Sequence, residues 1–243
     1  MAALFASTWG NPIATKHVLL IHGITSSSQI WYRIAQEFAS RGRFLLGSCG
    51  ASPDTFLSDT GYFVTAPDLL GHGNARRSSD YTITALADEL RPLFATSEGN
   101  DHPYHIVVGH SLGGLVACAL LPLLKSTRSV RVVLIDPPLE QTPELVAHHK
   151  TLFGDTIRNP KTPETYLQEN PNWTKEDATF TSSSIRLCEV DAVDAILDVS
   201  SFILLDMISA HEARLAKRPL VVFTSAIDNS RQRQSDRACR QPI

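Results

Sequence analysis

The chain has 243 residues, of which 43% are hydrophobic and 19% charged, and a net charge of -3. This composition excludes a disordered or fibrous chain and fits one large globular domain, or a core carrying an insertion. No sustained basic run gives reason to expect nucleic acid or an anionic membrane surface as partner.

Cys49, Cys118, Cys188 and Cys239 are scattered, without the spacing of a zinc site or a disulfide framework. They read as free thiols, which suits a reducing compartment. The opening M-A-A-L-F-A-S-T-W-G lacks the basic start and long apolar core of a signal peptide. No apolar run is long enough to span a bilayer. The expectation is a cytoplasmic, soluble protein with no integral membrane segment.

In chain order, residues 3–9 read as a short edge strand and Trp9-Gly10-Asn11-Pro12 as a turn. Lys16–Ile21 is an apolar run of the kind buried on both sheet faces, followed by His22-Gly23-Ile24-Thr25. Ser26, Ser27 and Ser28 are N-cap candidates for a helix with Ile30, Trp31, Ile34, Ala35 and Phe38 inward. The segment 43–61 then interrupts the pattern. Without its 19 residues, Ala39-Ser40-Arg41-Gly42 would join Tyr62-Phe63-Val64-Thr65, a better helix–Gly–strand junction. Either it is a retained intron or gene-model artefact, or it is a surface insertion of the kind loops tolerate at small entropic cost.

After the strand Phe63-Val64-Thr65 comes Pro67-Asp68-Leu69-Leu70-Gly71-His72-Gly73. Its glycine spacing is not that of a dinucleotide fingerprint, and His72 is read as a brace for the loop. Thr82–Phe94 is an amphipathic helix with Ile83, Leu86, Leu90 and Leu93 inward, capped by Thr82 or Thr84. Next comes Y-H-I-V-V-G-H-S-L-G-G-L-V-A-C-A-L, residues 104–120. Ile106, Val107 and Val108 form a buried strand; Leu112, Leu115, Val116, Ala119 and Leu120 recur at helical spacing. Between them Gly109-His110-Ser111-Leu112-Gly113 is a G-x-S-x-G in the strand–turn–helix setting that the motif requires. Such a turn strains its central residue and pushes that side chain clear, while the helix N-terminus directs N–H groups and positive potential at it. Val130–Ile135 is another buried strand, ending at Asp136-Pro137-Pro138.

Residues 139–215 read as helical: Pro143–Phe153, Pro163–Glu169 and a longer, broken reach from Ile185 to Ala216. Leu187, Val190, Val193, Ile196, Leu197 and Leu204 supply apolar faces there. Trp173, Phe180 and Phe202 are pocket-wall or core residues. His148-His149 reads as an exposed helix face, because an i, i+1 pair cannot point at one ion; no metal site or cofactor is expected. Pro219–Phe223 is the last clear strand, followed by Ser225-Ala226-Ile227-Asp228.

The Ser111 elbow, His22-Gly23, the Asp68–Gly73 loop and Asp136, each after its strand, together resemble an α/β-hydrolase of the esterase, lipase and thioesterase type. The resemblance implies an α/β fold with a mostly parallel central sheet flanked by helices. It implies a core over 1–138, a helical cap over 139–215 and a core resumed over 216–228; residues 229–243, almost without apolar side chains, read as a disordered or aberrant tail. It makes Ser111 the nucleophile, and the N–H groups of Ile24 and Leu112 the oxyanion donors. His22 and Gly23 are the substrate-binding candidates, His22 shaping the loop rather than carrying a proton. Asp228 is the preferred acid and Asp136 the alternative. The substrate implied is a small apolar ester, thioester or lactone, and the cap would shape its pocket. A serine at the elbow argues against epoxide hydrolase or haloalkane dehalogenase chemistry, which uses an aspartate there.

The departure from the family is the catalytic histidine. Chain order in the family is Ser, acid, His, and no histidine follows Asp228. His110 adjoins Ser111 and points elsewhere. His148, His149 and His211 are the histidines that remain, reaching Ser111 only from the cap. Two function classes therefore stand: a serine hydrolase, or an impaired or non-catalytic relative that at most binds a small ligand.

Overall fold

The computed structural model describes residues 4–40, 61–95, 102–124, 130–138, 142–198 and, as backbone, 220–223. Nearly all of the interrupting segment 43–61 lies outside the described residues, as do Phe202, Leu204, His211, Asp228 and the 229–243 tail.

The strands are β1 (Ala6–Trp9), β2 (Lys16–Ile21), β3 (Tyr62–Pro67), β4 (Tyr104–His110), β5 (Arg131–Ile135) and β6 (Leu220–Phe223). They form one six-stranded sheet in the order β1-β3-β2-β4-β5-β6. β1 runs antiparallel to β3 at the edge, and every other pairing is parallel. Parallel strands bury both faces, which is why they are nearly continuous apolar runs. The alternation of side chains separates two cores. Leu19, Ile21 and Val107 face α2 (Ile83–Leu90) and α3 (Leu112–Leu120). Val18, Leu20, Val64 and Val108 face Trp31 and Ala35, the latter on α1 (Tyr32–Ser40).

Two local details differ from the sequence reading. Ile34, expected inward, is 42% exposed. A 3₁₀ turn over Ser28–Trp31 precedes α1, and its three-residue period shifts the phase of the helix that follows. Ser27 stands at the N-cap of that turn without a side-chain cap bond, its hydroxyl meeting Ser184 Oγ at 2.6 Å instead. The Thr82 cap on α2 is present, accepting from the Ala85 N–H at 3.1 Å.

The helical segment after β5 begins with α4 (Pro143–Arg158), which runs past the expected Phe153 because Gly154 is buried within it rather than ending it. α5 (Pro163–Glu169) stands where the sequence puts it. α6 (Lys175–Arg186) was not expected. Its Ser- and Thr-rich face hides the apolar period, while the capping box of Thr174 with Asp177 is its legible signature. The chain breaks at residues 187–189 and is helical again over 190–198.

Candidate active site

Every element at the site enters from the carboxyl end of a parallel strand. β4 delivers Ser111 at φ 50 and ψ -119, and α3 starts at the next residue. The Ser111 N–H donates to Ile135 O at 2.9 Å, tying the elbow to the end of β5. The glycines around it are required by contact. A Cβ on Gly109 would stand 2.3 Å from Gly113 O, and one on Gly113 2.2 Å from Ile21 O. Neither approach leaves room for a side chain.

The loop after β2 lies against the elbow. The position of a Cβ on Gly23 is 3.2 Å from Ser111 Cβ and 2.9 Å from His110 Nδ1. Ile24, the expected oxyanion donor, is therefore one residue from a direct neighbour of Ser111, and Leu112 opens α3 on its other side. Thr25 follows Ile24 with φ 54, completing a tight turn.

That turn is held from beneath by a wholly buried set. His22 is 0% exposed; its Nδ1–H donates to Gly23 O at 2.8 Å and its Nε2 accepts the Leu69 N–H at 3.0 Å. Both ring nitrogens are thus used within the loop, and neither is open to a ligand. Burial lowers the His22 pKa to about 4, so the ring is neutral. His72 is equally buried, bonds Leu70 O through Nδ1 at 2.9 Å and is lowered to about 3, chiefly by burial and next by His22. It braces the loop as the sequence suggests. Asp68 was read only as a loop residue. Its carboxylate accepts the Ser28 N–H at 2.6 Å and the Asn74 N–H at 2.8 Å, pinning two loops together. No spacing rule would have marked it.

Asp136 directly follows Ile135, with φ 48, and stands close enough to His110 to favour its imidazolium. Burial outweighs that attraction and keeps the His110 pKa below the ordinary imidazole value. Eight of the nine histidines lie among the described residues, and none of these hydrogen-bonds Ser111 Oγ. His148 is exposed on α4, while His149 is half-buried with its ring 5.5 Å from Phe153. Val146 and Phe153 of α4 pack in one cluster with Ile24, Cys188 and Val193. That contact lays the helical segment on the Gly23–Thr25 turn. Trp173 stacks on Tyr166 and Phe180 meets Tyr32 edge-on, giving both rings partners within the fold. Among the described residues no group of three or more His, Cys, Asp or Glu is arranged to hold a metal ion. No helix among them is long and apolar enough to cross a membrane.

The chain matches the model of the Alpha/beta hydrolase family over residues 18–241. It is 32% identical over 126 residues to the lipase LipV of Mycobacterium tuberculosis, a stretch covering 52% of this chain and 39% of that protein. It is also 32% identical over 104 residues to methylesterase 7 of Arabidopsis thaliana, covering 42% of this chain and 32% of the relative. The matches thus span less than half of either relative's length. Among solved structures, a hydrolase from Pseudomonas aeruginosa superposes with a TM-score of 0.60 at 17% identity, covering 91% of this chain and 75% of that one. At such low identity the likeness concerns the fold alone.

Proposed function

The chain belongs to the alpha/beta hydrolase family, and on that premise we propose that it is a serine hydrolase. Its substrate is a carboxylic ester, thioester or lactone of a small apolar compound. The observation that carries this is Ser111 held at φ 50 on the turn between β4 and α3, with Gly23 packed beside it. Ser111 Oγ attacks the carbonyl carbon and the C=O pair moves onto oxygen. The N–H groups of Leu112 and Ile24 receive that charge; the loss of one such donor costs about 2.7–4 kcal/mol of transition-state stabilisation. Collapse of the tetrahedral species breaks the C–O or C–S bond, and the leaving oxygen or sulfur takes the proton removed from Ser111. The acyl ester on Ser111, which keeps the freed hydroxyl when the substrate is a lactone, is then cleaved by water. The helical segment from α4 onward serves as the cap, a reading supported by its packing against Ile24.

The proton of Ser111 Oγ needs a base. Among the described histidines, His149 shares the α4 face of Val146 and Phe153 at i+3 and i-4 spacing. Burial, then His148, lowers its pKa, which keeps the ring neutral near pH 7 and able to accept a proton. Asp228 remains the first choice of acid and Asp136 the second; Asp136 is the one whose strained backbone adjoins the elbow. A second reading is a chain that binds a small ligand without turning it over. It is favoured by the lack of a histidine hydrogen-bonded to Ser111 Oγ among the described residues.

The test is labelling by a fluorophosphonate, followed by hydrolysis of p-nitrophenyl acetate. Labelling that disappears in Ser111→Ala, together with turnover, supports the hydrolase. Labelling without turnover leaves the activated serine standing and excludes this ester as a substrate. A folded chain that takes no label at Ser111 overturns the serine mechanism.

A further inference from the structure

The tripeptide Leu187-Cys188-Glu189 is where the cap returns to the core, between α6 and the helix over 190–198. Its Glu189 is clamped from the core side. The Glu189 N–H donates to Gly71 O at 3.0 Å. The Tyr81 hydroxyl donates to Glu189 Oε2 at 2.8 Å, and itself accepts the Ser78 N–H at 3.1 Å. Arg77 Nε meets Glu189 Oε1 at 2.6 Å. The fit continues one turn on, where a Cβ on Gly71 would stand 2.4 Å from Ala192 Cβ.

On its other side the same tripeptide meets the turn after β2. Cys188, 6% exposed, sits in the cluster that packs on Ile24, and the Thr25 N–H points at its sulfur. One short segment therefore touches both the Gly71 loop and the Ile24–Thr25 turn. The Arg77 ion pair faces solvent and contributes little on its own. The bond from Tyr81, a largely buried side chain, is the directional part.

We propose that Glu189 is a positioning residue for Ser111 chemistry: clamped by Tyr81 and Arg77, it seats Cys188 against the Ile24–Thr25 turn and so holds the Ile24 N–H where the oxyanion forms. The inference rests on Ile24 being an oxyanion donor in the proposed reaction. It makes the cap junction part of the catalytic geometry, not only a wall of the pocket. Displacing the turn by a fraction of an ångström weakens the donor without removing it.

The test separates reagent binding from reaction at Ser111. Fluorophosphonate labelling is followed against reagent concentration, giving a half-saturation constant and a limiting rate. Tyr81→Phe and Glu189→Ala are expected to label about tenfold more slowly at saturation, with half-saturation unchanged, as misplacement of a catalytic group predicts. Glu189→Gln keeps an acceptor for the Tyr81 hydroxyl and recovers most of the rate. Glu169→Gln breaks the exposed cap ion pair to Lys161 and leaves labelling unchanged. Alkylation of Cys188 by iodoacetamide, mapped by peptide mass, rises in the two slow variants. Wild-type rates in Tyr81→Phe and Glu189→Ala overturn the role of Glu189 while leaving Ser111 in place. An equal slowing in Glu169→Gln also overturns it, since the effect is then general loosening. A wild-type chain unlabelled at Ser111 removes the hydrolase reading first and this inference with it.

Discussion

Ser111 occupies a backbone region, φ 50 and ψ -119, that costs a non-glycine residue about 1–3 kcal/mol. Glycine adopts it without that cost. Ser111→Gly is therefore expected to raise the urea midpoint relative to Ser111→Ala, although both lose fluorophosphonate labelling. Equal midpoints would show that no strain is stored at the elbow. Gly113→Ala works in the opposite direction. Its methyl would meet Ile21 O at 2.2 Å, so β2 and α3 must separate, at about 1–3 kcal/mol of stability, with labelling lost as Leu112 moves. Thermal unfolding and labelling of one sample check both. The elbow was legible residue by residue because G-x-S-x-G encodes its own sterics. Asp68 was not, because the N–H groups it binds belong to Ser28 and Asn74, and only one of these is near it in sequence.

At the scale of elements, local signals worked where each element carries its own period or cap. Lys16–Ile21 and Pro163–Glu169 stand with the bounds read from sequence. They failed where tertiary contact holds a helix of weak local preference. α6 buries Ala178, Ser182, Ser184 and Ile185, a face too polar to register as apolar. Its start rests on Thr174, whose hydroxyl bonds Asp177 and meets Tyr32 OH at 3.1 Å. Thr174→Ala should cost about 1 kcal/mol of stability, read as a lowered urea midpoint with an unchanged slope. A drop no larger than that of an exposed control such as Thr151→Ala would show that the capping box does not hold α6. His149 is tested at this scale too, since α4 presents it. His149→Ala should abolish ester turnover and slow phosphonate labelling of Ser111 with it, since both need the Oγ proton removed; undiminished turnover excludes it as the base.

For the whole molecule, the two neutral histidines beneath the site tie stability to pH. His22 and His72 titrate at about 4 and about 3 in the folded chain, against 6.5 unfolded. Between those values the unfolded chain binds protons that the folded chain refuses, so acid favours unfolding. Their contribution is complete above about pH 6.5 and is lost as pH falls toward 4 for His22 and 3 for His72, by about 1.4 kcal/mol per pH unit for each. Urea midpoints should fall between pH 7 and pH 5, and His72→Asn should flatten the decline. A flat wild-type profile would mean that neither ring stays neutral. The sequence by itself determined the α/β class, the strands that bury both faces, the elbow at Ser111 and the loop after β2, because period, glycine placement and capping are local physics. Only the tertiary structure decided that Gly23 lies against Ser111, that His22 and His72 are sealed beneath the turn, and that Glu189 accepts the Tyr81 hydroxyl. Those contacts link residues far apart in the chain, and no local pattern records which surfaces will meet when the sheet and its helices close.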